Sequence, residues 1–133
     1  LCLAAARGVD VRLVVPEIPD KQTVYALTRS YFPELIENGV KVLRFTPGFV
    51  HSKVFVSDDI RAVVGAINLD YRSLYLHFEN NVMLYGGPAV KQMEQDFIET
   101  FQVSREVTEQ YRDKRAGILR LWQCVLRLFA PMM

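Results

Sequence analysis

At 133 residues the chain is long enough to bury a core, and half of its residues are apolar against 23% charged, an ordinary globular balance. Two cysteines, Cys2 and Cys124, lie at opposite ends without metal-ligand spacing, which excludes a disulfide scaffold and points to inert thiols in a reduced compartment. No apolar run reaches the roughly 18 residues of a membrane-spanning helix, so nothing in this stretch is expected to cross a bilayer.

The formal net charge of +1 is unevenly placed. Residues 112–127 carry five cations, Arg112, Lys114, Arg115, Arg120 and Arg127, against Asp113 alone, so the remainder has a net charge of −3. A negative body argues against a broad nucleic-acid footprint. The chain opens inside a helical stretch, LCLAAARG, with neither an initiating Met nor a signal peptide. It therefore reads as the C-terminal piece of a longer protein, truncated at its N-terminus.

Taken in order, a first helix ends at Gly8, a natural C-cap position. The β-branched run Val9–Val15 reads as a strand closed by Pro16. Asp20 suits the N-cap of a helix from Lys21 to Asn38, with a kink or break expected near Phe32 because Pro33 follows, and a stop at Gly39. Val40–Phe45 reads as a second strand, and Pro47-Gly48 turns the chain into two further strands, Val50–Ser57 and Ile60–Ile67. Phe78–Tyr85 is another strand, stopped by Gly86-Gly87-Pro88, and Pro88 suits the first turn of a helix over Ala89–Val103. This order predicts an α/β fold, a mixed β-sheet flanked by helices, over residues 1–108. A basic tail over 109–133 is expected to carry an amphipathic helix.

The candidate site lies in the run FVHSKVFVSDDIRAVVGAIN, residues 49–68. On an extended strand residues two apart share a face, so His51 and Lys53 point the same way and pair a nucleophile or general acid with a cation. Attack on a phosphodiester needs that combination. If the two strands form a hairpin with an even-length turn, either Ser57–Ile60 or Asp58-Asp59, His51 lies opposite Ala66, Lys53 lies opposite Val64, and Asn68 shares their face. Asp58 then sits at the turn, a structural position from which it caps turn amides.

The full spacing is His51-x-Lys53, four residues, Asp58, six residues, Gly65-x-x-Asn68. This pattern resembles the repeated motif of the phospholipase D superfamily. The segment NLDYRSLYLHFENN after it is similar to the one that follows the second such motif in bacterial cardiolipin synthases, as are the upstream AAARGVDVRLVVP and the later SREV. The resemblance covers most of the chain and weakens over 109–133. It implies that His51 is the active-site imidazole, working with the equivalent His of another motif. Lys53 and Asn68 would bind the non-bridging phosphate oxygens, and Glu79 would hold the imidazole through its other nitrogen. Ala66 departs from the Ser or Thr usual after the glycine and removes one hydroxyl near the phosphate. Arg72 could reach a lipid head group, with a local Asp70–Arg72 bridge as the alternative; His77 reads first as structural, with a place in the substrate channel as its alternative.

In the tail, Ile118, Leu119, Leu121, Trp122, Val125, Leu126, Leu128 and Phe129 fall on one half of a helical wheel, and Arg120, Gln123 and Arg127 on the other. Such a helix, with Trp122 among its contacts, suits the interface of an anionic membrane; packing against another part of the protein or a partner chain fits equally. The resemblance implies a phosphatidyltransferase that joins two phosphatidylglycerols to cardiolipin and glycerol through a phosphohistidine. It would act at the cytoplasmic side of a bacterial cell membrane on anionic phospholipid, not nucleic acid. Imidazole and lysine supply what a metal would, so no metal or organic cofactor is implied. A second motif must come from a preceding half of the protein or from a homodimer partner. Two alternatives stand: another phosphodiesterase of the superfamily, a lipase or nuclease, and a half-domain inert in isolation.

Overall fold

A computed structural model describes residues 1–112 together with Val125, Arg127 and Leu128. The elements in chain order are α1 (Cys2–Ala6), β1 (Arg12–Pro16), α2 (Gln22–Glu37), β2 (Lys41–Phe45), β3 (Val54–Ser57), β4 (Arg61–Gly65), α3 (Tyr71–Tyr75), β5 (Asn81–Tyr85), α4 (Gly87–Gln102), β6 (Ser104–Glu106) and α5 (Thr108–Arg112). Among the described residues they belong to two units, one built from 1–50, 103–112 and the described tail residues and the other from 51–102. The α/β class stands, with the strands distributed over two three-stranded sheets.

In the first unit β1 and β2 run parallel, Leu13 beside Val42 and Val15 beside Arg44, and α2 is the crossover that a parallel pair requires. β6 adds antiparallel to the other side of β2, Leu43 opposite Glu106. Phe32 and Ile36, one helical turn apart, put one stripe of α2 into a core with Val15, Val42, Val107 and Tyr111. Phe32 meets Tyr111 edge to face at 5.2 Å, so α5 closes this core.

Two expectations about α2 are corrected here. Its N-cap is Lys21, without a side-chain cap, and not Asp20. Of the kink or break expected near Phe32, the break does not occur: one helix runs through Pro33 to Glu37. Phe32, directly before the proline, is fully buried, and tertiary packing at that point outweighs the hydrogen bond that Pro33 cannot donate. Gly39, with φ +91, ends the helix region as expected.

Among the described tail residues, Arg127 packs on this unit. Its guanidinium stacks 4.3 Å from the Tyr31 ring, bonds Glu34 Oε2 at 3.0 Å and donates to the Ser30 carbonyl, all on α2. Val125 and Leu128 are exposed. Trp122 and the rest of the apolar stripe lie outside the described residues. No helix among the described residues is long and apolar enough to cross a membrane.

The second unit is the antiparallel sheet β3-β4-β5 with α4 against it through Val90, which is fully buried. β5 is an end strand of that sheet, and Val82, Met83 and Tyr85 on it are all exposed. β5 begins at Asn81, three residues later than the strand read from the sequence, because a short helix, α3, precedes it. The sequence reading had no element there.

Candidate active site

The hairpin register differs from the expected one. Val54 faces Val64 and Ser57 faces Arg61, so three residues, Asp58 to Ile60, form the turn. Asp58 and Asp59 take φ of 54° and 56°, the left-handed values of a type I′ turn, and Ile60 N donates back to the Ser57 carbonyl at 3.3 Å. Ile60 is the additional residue. Its carbonyl accepts from Gly86 N at 2.6 Å on the β5 side, so it is spliced out of the β3 pairing. The loop is odd, and Lys53 lies opposite Gly65, whose N–H donates to the Lys53 carbonyl at 3.3 Å.

An odd loop reverses the face of every residue on β4, and the expectation that Asn68 shares a strand face with His51 and Lys53 fails on that account. Asn68 escapes the consequence because β4 ends at Gly65 and strand alternation ends with it. The stretch beyond is held by other bonds: Ala66 N donates to the Asn80 carbonyl at 3.2 Å, and Ile67 N to Asn81 Oδ1 at 3.2 Å. Gly65 is where this loop passes closest. A Cβ there would strike Asn80 O and Asn81 Oδ1 and stand 2.7 Å from Asn81 Cα, so only glycine fits.

His51 and Lys53 precede β3 rather than lie within it, yet their side chains meet. Lys53 Nζ stands 2.8 Å from His51 Nδ1, 2.9 Å from Nε2 and 2.8 Å from the His51 carbonyl oxygen. An imidazole with a cation beside it can attack phosphorus while the cation meets the phosphate oxygens.

Asp58 is exposed at the turn, as expected. Its carboxylate accepts from Ser57 Oγ at 3.0 Å and stands 3.9 Å from Arg61 Nη1; a side chain and a hydroxyl, not turn amides, are the partners the structure gives it.

Asn68, Arg72, His77 and Glu79 come together around a residue that the sequence reading missed. Asp70 caps α3 by accepting from Ser73 N at 2.7 Å, which sets Ser73 with its hydroxyl inward and only 5% exposed. Asn68 Nδ2 donates to Ser73 Oγ at 3.4 Å, and Ser73 Oγ donates to Glu79 Oε1 at 3.2 Å. His77 Nδ1 stands 3.5 Å from the same carboxylate oxygen, and Arg72 Nη2 is 3.3 Å from His77 Nε2. Those two contacts agree on one tautomer, Nδ1–H toward Glu79 and the Nε2 lone pair toward Arg72. The imidazole that Glu79 meets here is thus His77, and Arg72 turns to His77 while Asp70 is occupied as a cap. An Asp-x-x-Ser cap, Asp70 to Ser73, was the signal available for α3 and Ser73. Among the described residues no cluster of His, Cys, Asp and Glu has the arrangement of a metal site.

The family model for the phospholipase D-like domain of cardiolipin synthase matches residues 1–101. A protein of Streptococcus mutans without an assigned function is 50% identical over the whole chain, which spans 29% of that protein. Cardiolipin synthase 2 of Bacillus cereus is 40% identical, and cardiolipin synthase of Geobacillus kaustophilus 41%, again over the whole chain. The chain spans 26% of the length of each of these two synthases. The crystal structure of Nuc, a phospholipase D family member from Salmonella typhimurium, superposes with a TM-score of 0.66 over 80% of this chain and 69% of its own, at 19% identity, a likeness of fold. With its mixed α/β architecture and the motif that runs from His51 to Asn68, the chain belongs to the phospholipase D-like domain family of the cardiolipin synthases.

Proposed function

We propose that this chain supplies one of the two histidine–lysine motifs of a cardiolipin synthase-type phosphatidyltransferase. The observation that carries the reading is the contact of Lys53 Nζ with the ring of His51, at 2.8 and 2.9 Å from its two nitrogens, inside a sequence matched by the cardiolipin synthase domain model. One imidazole, from His51 or its counterpart in the second motif, attacks the phosphorus of phosphatidylglycerol. The bond from phosphorus to the glycerol head group breaks, and the other imidazole gives its proton to the departing oxygen. The hydroxyl of a second phosphatidylglycerol then loses its proton to that imidazole, and its oxygen attacks phosphorus as the phosphorus–nitrogen bond breaks. Lys53 and Asn68 donate to the non-bridging oxygens and offset the charge that builds on them. Asp58 and Gly65 shape the hairpin, Glu79 orients an imidazole, and Arg72, His77 and Trp122 are the candidate contacts to lipid.

The partners in this reading are anionic phospholipid, a bacterial membrane surface approached from the cytoplasmic side, and a second motif from the rest of the protein or a homodimer partner. The test is the full-length protein with labelled phosphatidylglycerol. The expected products are cardiolipin and free glycerol, with a phosphohistidine trapped by acid-free quenching and lost in His51→Ala. Release of phosphatidic acid without cardiolipin would instead identify a hydrolase.

A further inference from the structure

We infer that Ser73 is a positioning residue whose hydroxyl decides which way round the Asn68 amide lies. The inference rests on the phosphate-binding role proposed above for Asn68. An Asn side chain presents an oxygen on one side and an NH2 on the other, and only the NH2 side is useful to a phosphate. Something must therefore break the near symmetry of the amide.

Ser73 breaks it by proton count. Its hydroxyl has one hydrogen, and a carboxylate only accepts, so the 3.2 Å contact with Glu79 Oε1 takes that hydrogen. The Ser73 oxygen is left with lone pairs facing Asn68 at 3.4 Å, where only an N–H is welcome. One Nδ2 hydrogen is spent there, and the second remains for a phosphate oxygen. With the amide reversed, two acceptor oxygens would face each other, and the Asn68 oxygen would replace the donor.

The lock is set firmly from three sides. Ser73 is 5% exposed, so water does not supply a competing donor freely. Its backbone is pinned by Asp70 at 2.7 Å. The same Glu79 oxygen is met by His77 Nδ1 at 3.5 Å, itself against Arg72 at 3.3 Å, and neither of these two neighbours of Oε1 is Asn68. No phosphate contact is required of Ser73 itself. It acts through Asn68.

A double-mutant cycle in the full-length protein tests this, with labelled phosphatidylglycerol as substrate. Ser73→Ala should lower kcat by about tenfold with KM changed by less than about threefold, since the donor is misdirected and not removed. In an Asn68→Ala background the same Ser73→Ala change should cost less than about twofold, because no amide remains to be turned. Equal losses in both backgrounds, or no loss in the wild-type background, would overturn the inference, for a merely structural serine is felt whether or not Asn68 is present. Ser73→Cys, which keeps the volume with a poor donor, replaces Ser73→Ala if the alanine variant does not retain the wild-type thermal transition. A wild-type protein that hydrolyses phosphatidylglycerol without making cardiolipin would sink the transferase reading, while the cycle is read on hydrolysis. Turnover of neither kind would overturn both.

Discussion

Lys53 Nζ lies within 2.9 Å of both ring nitrogens of His51, and also bonds the carbonyl of the residue whose ring it faces. The lysine is thereby tied to the histidine backbone, and that bond holds the cation beside the imidazole. Replacing it with alanine removes a donor to the transferring phosphate. A loss of kcat of about 10²–10³ is expected in the full-length enzyme. Lys53→Arg should not rescue it fully, because a planar guanidinium cannot occupy the point between two ring nitrogens and a carbonyl. Steady-state rates of the two variants, with thermal melts as a control for folding, check both statements.

Gly65→Ala should be the most damaging small substitution in the hairpin. The added Cβ meets the backbone of Asn80 and Asn81, which cannot swing aside as a flexible side chain can. Overpacking of this kind costs about 1–3 kcal/mol. The measurement is the thermal midpoint, and a midpoint unchanged within error would show that the loop relaxes.

Asp10 gives a pH dependence with a defined sign. Its hydrogen bonds to Arg12 and then Lys41 hold its carboxyl down at about 2, from 3.8. A depressed carboxylate contributes stability above its unfolded value and loses it as the pH falls toward the folded one. Asp10→Asn should therefore lower stability at pH 7 and have little effect by about pH 1, with the difference shrinking progressively between about pH 5 and 1. Because Asp10 is 47% exposed, the effect at pH 7 should stay below about 1 kcal/mol and shrink in high salt. Urea midpoints of the two proteins across that range measure it.

Arg127 is the point at which the tail can be released. Arg127→Ala removes the stacking on Tyr31 and the bonds to Glu34 and Ser30 together, with an expected loss of about 1 kcal/mol. Arg127→Lys should recover the ion pair alone. Limited proteolysis after residue 112 should be faster in the alanine variant. A liposome-binding assay with and without residues 113–133 separates this packing from membrane attachment: equal binding would sink the interfacial reading of the stripe that contains Trp122.

The elements read most directly were those with local signatures. Gly8, Gly39 and Pro88 marked helix ends where the chain does change direction, and the parallel pair β1–β2 followed from strand, helix and strand in succession. The hairpin was harder, because Asp58-Asp59 looked like the whole turn. The strand expected from Ile60 begins at Arg61, because the Ile60 carbonyl is claimed by Gly86, far along the chain. A long-range bond of that kind leaves no local trace. Asn68 illustrates the same limit in the site. Its residue type and spacing were legible, but its setting depends on Ser73, which was legible only as part of an Asp-x-x-Ser cap, and on Asn81, from the adjoining strand.

Among the described residues β5 ends its sheet, and that position has a practical meaning. An end strand with Val82, Met83 and Tyr85 exposed is a template on which further strands assemble, and β5 itself carries neither the proline nor the lysine that would discourage it. Residues 1–133 expressed alone should self-associate as their concentration rises, through backbone pairing that detergent does not dissolve. Rates measured on such material would report the fraction still dispersed, so activity belongs to measurements on the longer polypeptide.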